Sequence, residues 1–581
     1  MDASPFCGVP PIDSDDSCLS DRDSDDDSRA TPSDNSSTDE DSDLNDDTAA
    51  SIGAPTTRRQ SAAASRRWEE VAWDSAQKQN FTKQFPVWQG TLPDADETRE
   101  PVQYFRDFFD AGLLETIAQQ SNLYCAQEDP NCALRLDQSE LEQFIGSVIY
   151  MSVVRLPRLR MYWATECRVP QVADVLSRDR FEEISKFLHF NDNNHMAASK
   201  DKLFKIRPVA DSLLQKFQAL PQDQMLFIGE QIVPFKGRSI LKQYMPKKLH
   251  KWGYKIFVLC DTKGLVHAFH IYTGKTDPEP GDPDIGANGN IVLRLAKAVH
   301  SPVNHLLYFD HWFSSLDLFA ALGNKGVPAL GTMQENQLQG CRFSSDTDMK
   351  KQGRGTFEER RVAIDNVEIR AVKWFDSRAV IVASNFPGAR SVSRVRRWDK
   401  NLKHNVFVTC PSIISLHHKF LGGFYALREL IASNRIQFRS KKYYHRFFFY
   451  FIDIVIVNSW LLYQRHCDSL DVPRKEQKDL LAFRTSIAQA LCMQYEEISN
   501  IKREPPSSDV EIQKKKYRGP NKALPTLEVR SDAVGHWPLV VSERRRCKRS
   551  KCKGQSTYTC SKCNVHLCLN KNNNCFREFH K

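Results

Sequence analysis

An α/β chain of several domains is predicted, and three observations carry the prediction. Met225 to Arg238 and residues 254–260 are apolar runs with strand character, joined by a basic connector that contains glycine. That is the pattern of neighbouring buried strands. Residues 101–217 repeat apolar side chains at helical spacing. Residues 541–581 gather cysteine and histidine at metal-ligand spacings. At 581 residues the chain is too long for one compact core, so roughly two to four domains with linkers are expected.

Charge narrows the class. The formal net charge is +9, but residues 1–50 hold 16 acidic and two basic residues, net −14, which leaves +23 for residues 51–581. A basic body with an acidic tail points to a polyanion partner, most simply nucleic acid. Residues 1–67 are rich in Ser, Asp, Thr and Ala with almost no aromatics, so a disordered acidic tail is expected. Its serine runs, such as 20–28, suit phosphorylation or plain solvation equally. RRQSAAASRR at 58–67 serves as a nuclear-import signal or as a charge run. No signal peptide is read. The most apolar stretch, FFFYFIDIVIVNSWLL at 447–462, is broken by Asp453 and Asn458. A buried core helix is therefore expected there, and no membrane partner.

Along the chain, residues 68–224 read as a helical domain. Tyr104, Phe105, Phe108, Phe109, Leu113 and Ile117 form one apolar stripe, and Ser139 with Glu142 three residues on is a candidate capping box. Arginines cluster at 155–160 and 178–180, suited to phosphates or to solvation. Residues 225–320 give three adjacent strands, an acidic loop at 277–289, a helix, and an apolar run, 305–310, that ends in Asp310. Three neighbouring strands, a helix and a parallel-type strand make the order of a ribonuclease H-like core. Residues 321–410 read as short β-like runs with turns, and 411–500 as a basic segment leading into a long buried helix and a closing helix. Residues 501–540 read as a basic, Pro-rich linker, and 541–581 as a cysteine-rich domain.

Read with YFDHWFSS (308–315) and LGGFYALREL (421–430), the core stretch resembles that of piggyBac-type DNA transposases. QYMPKKLHKWGYKIFVLCDTKG, IYTGK, FRSKKYY and VGHWP extend the resemblance over residues 100–581. It implies a ribonuclease H-like transposase core split by a β-rich insertion. It also implies a preceding helical DNA-binding and dimerisation domain, hence double-stranded DNA as partner and a homodimer. In such cores three aspartates hold two Mg²⁺ or Mn²⁺ ions, about 3.5–4 Å apart, that activate water and stabilise the leaving oxygen.

This chain departs from the pattern where that chemistry sits. The first acid position is Gly229 and the third is Tyr425; Asp310 alone is retained. Arg428 replaces a further family acid, and Gln334 and Gln337 stand at two arginine positions of the family. Glu230 follows Gly229, but successive strand residues point to opposite faces. Glu429 lies one helical turn from Tyr425. The resemblance, so altered, implies a domesticated transposase-derived, nuclear DNA-binding protein without transposase activity, in which Mg²⁺ is not bound productively. Two rivals remain: a transposase using Asp310 with Glu230 or Glu429, and a chromatin-associated protein-interaction adaptor.

Sixteen cysteines could form disulfides, but six of them fall within 547–575 beside histidines, which favours zinc in a reducing compartment. Cys547 and Cys552, Cys560 and Cys563, His566 and Cys568, and Cys575 and His580 make four pairs. Eight ligands suit two structural Zn²⁺ ions. The resemblance implies a cross-braced zinc domain in which pairs one and three share an ion, as do pairs two and four. The basic runs at 514–518 and 544–553 suit phosphate contacts or nuclear import.

Overall fold

The computed structural model describes residues 66–71, 88–493, 524–525 and 530–581, apart from positions 132, 247, 249–250, 301–303, 400–401, 532–533, 551 and 572. For residues 421–425 only the backbone is described. The acidic tail and most of the expected linker lie outside these residues.

Six helices follow Glu100: α1 (Pro101–Arg106), α2 (Ala111–Glu128), α3 (Gln138–Val153), α4 (Pro170–Ala173), α5 (Arg178–Phe187) and α6 (Arg207–Gln218). Asp110, Asp137 and Ser177 cap α2, α3 and α5, each accepting a backbone N–H three residues on. The cap of α3 is thus Asp137 and not Ser139. Glu142 turns inward instead, where Arg106 bonds it in a two-pronged pair at 3.1 Å. All six residues of the predicted stripe are buried.

Ten strands form one sheet. They are β1 (Glu69–Glu70), β2 (Met225–Pro234), β3 (Gln243–Tyr244), β4 (Trp252–Asp261), β5 (Val266–Ile271), β6 (Leu306–Phe309), β7 (Ala329–Met333), β8 (Phe357–Ile364), β9 (Val367–Phe375) and β10 (Ala379–Ser384). The order is β1-β8-β9-β10-β7-β6-β2-β4-β3, with β5 also paired to β4. Within it, β5-β4-β2 are antiparallel neighbours, and β6 and β7 add in parallel. This is the ribonuclease H-like core. Helices α7 (Ala287–Ala296) and α8 (Leu316–Asn324) make the crossovers that parallel strands require.

The core and the expected insertion share one sheet. The core does not end at 320, because α8 and β7 supply its last crossover and strand. The expected insertion is also no separate layer, since β8, β9 and β10 continue the same sheet beyond β7. Only the hairpin β11 (Ser393–Asp399) and β12 (His404–Cys410) stands apart. A five-residue parallel strand has no local signature that distinguishes it from an insertion strand; its place depends on pairing with β6.

Alternation sends Phe227, Tyr254, Val258 and Tyr308 to one face of the sheet, and Leu226, Ile228, Phe257, Leu307 and Phe309 to the other. The first face packs against α10 (Ser412–Ser433), α11 (Tyr443–Ser469) and the N-terminal helices; the second packs against α7 and α8. Helix α11 is long and apolar enough to cross a membrane by composition, yet nine-tenths of its most apolar window is buried in the protein. The polar residues that break its run are what fix it. Asn458 bonds both N–H and C=O of Val266 at 2.9 Å, and Asp453 pairs with buried Arg484 at 2.5 Å. Arg484 lies on α12 (Leu480–Met493), which returns to the N-terminal helices so closely that a Cβ on Gly146 would meet Leu491 Cβ at 2.9 Å. The helical domain is therefore completed by chain from beyond the core. The C-terminal module consists of β13 (Pro538–Arg546), β14 (Gln555–Cys560) and α13 (Cys575–Phe579).

Candidate functional site

The centre of the sheet is where the acids of the resemblance would converge. Residue 310 directly follows β6, whose last residue, Phe309, pairs in parallel with Ile228 beside Gly229. Asp310 ends the strand in a turn: its Oδ1 accepts the Trp312 N–H at 2.8 Å, and its carbonyl accepts from Phe313 N and Ser314 Oγ at 3.1 Å. Burial pushes the Asp310 carboxyl above the usual carboxylate range. The Trp312 N–H and nearby His311 oppose that push, and the charge of Glu230 adds to it.

Gly229 has no side-chain donor. Glu230 points to the face of Ile228 and Phe309, as strand alternation requires, and is captured there. Lys248 lies 2.8 Å and Lys255 2.9 Å from its two oxygens. Burial would raise this carboxyl too, but the two lysines more than offset it and hold Glu230 below the usual range. Lys255 itself sits 4.7 Å over the Trp312 ring, so the pair is built into the packing.

Tyr425 lies within α10. Upstream on that helix, Phe420 stacks on Tyr308 at 5.3 Å. Glu429 is exposed and lines a shallow groove with Lys263, Trp460 and Arg474. Lys263 follows Asp261, the partner of Leu226 at the start of β2; Glu429 thus faces away from Asp310, at the opposite end of the strands. Gln337 has a structural role. Its side chain donates to the carbonyls of His311 (2.7 Å) and Ser314 (3.2 Å), holding the turn after Asp310, while Gln334 is exposed.

The second candidate site is in the C-terminal module. Among the described residues, the groupings of three or more His, Cys, Asp or Glu able to hold a metal are Cys547, Cys552, Cys568 and Cys575, and His536, Cys560, Cys563 and His580. In each group all ligand atoms lie within 4.8 Å of one another. Tetrahedral zinc with Zn–S of about 2.3 Å requires S···S near ~3.8 Å. Cys552 Sγ lies 3.6 Å from Cys575 Sγ and 4.0 Å from Cys568 Sγ, and His536 Nδ1 lies 3.3 Å from Cys560 Sγ.

His580 donates its Nδ1–H to Phe576 O at 2.7 Å, and its Nε2 is buried without a protein partner. That is the orientation a metal-binding imidazole takes. The Gly554 N–H reaches Cys552 Sγ at 3.4 Å and Cys563 N–H reaches Cys560 Sγ at 3.4 Å, the kind of donation that steadies thiolates. The donor set fits two zinc ions.

The ligand assignment differs from the expected one at two points. His566 is in neither group: it bridges to Thr559 on β14, and its carbonyl accepts from Lys548 N. His536, upstream of the cysteine block, supplies the missing ligand, and Cys575 joins the first pair. The groups still interleave along the chain. The one sequence signal for His536 was its place in VGHWP, just before the strand that brings it to Cys560.

The whole chain can now be placed among known proteins. The family model described as Transposase IS4 matches residues 100–460. The human PiggyBac transposable element-derived protein 2 is 30% identical over 512 residues, covering 87% of this chain and 81% of that protein. The human PiggyBac transposable element-derived protein 3 is 28% identical, covering 81% of this chain and 75% of its own length. This chain belongs to the piggyBac transposase-derived family. A solved piggyBac transposase synaptic complex with hairpin DNA has a similar fold, with TM-score 0.56 and 18% identity, covering 81% of this chain and 95% of that one.

Within this piggyBac-family chain, the arginine clusters of the helical domain are largely committed. Arg180 pairs with Glu140 and, at 2.8 Å, Glu183; Arg160 pairs with Glu182 at 2.9 Å, and Arg178 with Asp179 at 2.7 Å. Arg155 bonds the carbonyl of Ser152. Arg158 is exposed. Of these, Arg180 ties α5 to α3 and Arg160 ties the segment before α4 to α5.

Proposed function

We propose that the protein is a domesticated piggyBac transposase-derived, nuclear DNA-binding protein that does not cleave DNA. The observation that carries this reading is the donor set at the core. Gly229 offers no ligand, Glu230 is occupied by Lys248 and Lys255, and Asp310 is left as one half-buried carboxylate already accepting a backbone N–H. Two divalent ions need several hard oxygen ligands, with carboxylates able to bridge them. These residues do not fit such a pair.

DNA binding is supported by three features. They are the +23 body, the basic strand Arg544–Arg546 on exposed β13, and the fold shared with a transposase solved on hairpin DNA. Two structural zinc ions would hold the C-terminal module and with it that basic strand. The acidic tail and basic runs of the sequence suit a chromatin setting.

Excision of a piggyBac-type element in cells tests the reading. The unaltered chain is expected to give background excision. Efficient excision by the unaltered chain that is lost in Asp310→Asn would sink it. Binding to duplex DNA should fall with rising salt and should weaken in Cys560→Ser; salt-insensitive binding would count against phosphate contact.

A further inference from the structure

The β11–β12 hairpin is the part of the β region that leaves the main sheet, and its two faces differ in chemistry. The inner face carries Val395, Arg397, Val406 and Val408. The valines pack on the main core, and Arg397 is turned to Asp376 and His418. Asp399 is likewise engaged inward, by Arg354 at 3.0 Å. The outer face carries Arg394, Arg396 and Trp398 from β11, and Asn405, Phe407 and Thr409 from β12, all exposed. Trp398 is 57% and Phe407 71% accessible. The register places Arg396 opposite Phe407 and Trp398 opposite Asn405. Among the described residues of the hairpin, no carboxylate stands on this face.

We infer that this outer face is a stacking platform for unpaired bases of single-stranded nucleic acid. Register makes Trp398 and Phe407 diagonal neighbours, about 7–8 Å apart in such a pair, close enough for two consecutive splayed bases. Flat aromatic rings on an exposed strand pair, with arginines on the same face, combine the two components of sequence-tolerant single-strand binding: base stacking and phosphate attraction. A duplex would present its phosphates to the same face and gain nothing from the rings, since its bases are already stacked. A folded protein partner would cover the aromatics but leave Arg394 unmatched unless it were acidic. The side-chain oxygen of Asn405 accepts from Arg396 Nε and Nη2 at 3.3 and 3.1 Å, which ties that guanidinium to the outer face. The inference is independent of the zinc module and of the duplex binding proposed above, because the hairpin and β13 belong to separate sheets.

The test uses the full-length, zinc-loaded protein with a fluorescent dT20 oligonucleotide, a 20-base-pair duplex, an abasic 20-mer and a poly-glutamate peptide. Trp398→Ala and Phe407→Ala are each expected to weaken dT20 binding on the order of 10-fold, and to leave duplex binding within about two-fold. Trp398→Phe should retain most of the affinity. Arg394→Gln with Arg396→Gln should reduce the salt slope of dT20 binding by about 1.4, from about 0.7 per phosphate contact. The abasic strand should bind no better to the unaltered protein than to Trp398→Ala. Because both rings are solvent-facing, circular dichroism of the variants should match the parent.

Unchanged dT20 affinity in both ring variants would overturn the inference. So would equal losses for dT20, abasic strand and duplex, or loss of poly-glutamate binding alone. Cys560→Ser separates the two claims: it should weaken the duplex and spare dT20.

Discussion

The sheet around Asp310 and the module around Cys560 meet the loss of a metal ligand under opposite physical conditions. The sheet is flanked by two large apolar clusters, and positions 229 and 310 sit at its centre without contributing to either. A metal-ligand position there can change to glycine while the packing of Phe227, Tyr308, Ile228 and Phe309 stays intact. The module's buried cluster consists of its own cysteines with Val565, Leu567 and Phe579. Too little apolar surface is present to fold it without its ligands. Ligands whose role is chemical can be lost without unfolding the chain, whereas ligands that substitute for a core cannot. On the proposed reading, this is a physical reason why the sheet would tolerate the loss of its acids while the module keeps its candidate ligands together.

The largest expected effect lies on the module's side. Stripping zinc with a strong chelator should unfold residues 536–581, removing stabilisation on the order of 10 kcal/mol, and should leave the melting of the main body in place; limited proteolysis would reveal this. His536→Ala should lower the zinc content measured by native mass spectrometry from two ions to one. His566→Ala should leave two, and the reverse result would restore the sequence-based assignment.

A smaller but still large effect is expected inside the body, where the polar groups are structural. Asp453→Ala leaves Arg484 charged and buried and should cost about 3–5 kcal/mol in chemical denaturation. A cost below about 1 kcal/mol would show that the pair is not a structural lock.

Acid should also separate the two regions from neutral behaviour in a defined direction. Burial depresses His189 and His417 to about 4, and His267 and His445 to about 3. The unfolded chain, with histidines near 6.5, takes up protons that the folded one refuses. Their contribution is therefore complete above about pH 6.5 and is lost as pH falls toward 4. The melting temperature of the body, followed in zinc-stripped protein, should fall over that window; a flat profile would refute it.

The smallest effect belongs to Asp310. Because burial raises the Asp310 carboxyl, Asp310→Asn removes an unfavourable buried charge at neutral pH while keeping an acceptor for Trp312 N–H. Stability should be unchanged or raised by up to about 1 kcal/mol. A clear loss would mean that Asp310 is structural in a way Glu230 and Gly229 are not.

Much of this was legible in the chain. Period-2 runs at 225–235 and 254–260, helical stripes at 101–117 and the cysteine spacings marked elements that the structure contains, because each is set by neighbours a few residues apart. Alternation also placed Glu230 on the face opposite to Gly229. What could not be read was set by distant partners: β7 and β8–β10 in one sheet, α12 completing the N-terminal helices, and His536 in place of His566. The arginines at 160 and 180 looked available for phosphate until folding brought Glu182 and Glu140 beside them.

The sequence by itself determined the family resemblance, the glycine and tyrosine at 229 and 425 and the existence of a cysteine-rich terminus, since these are matters of residue identity and local spacing. Tertiary structure alone decided which charges are spent on one another and which ligands meet at one point. Those outcomes depend on distances between residues tens to hundreds of positions apart, and no local pattern encodes them.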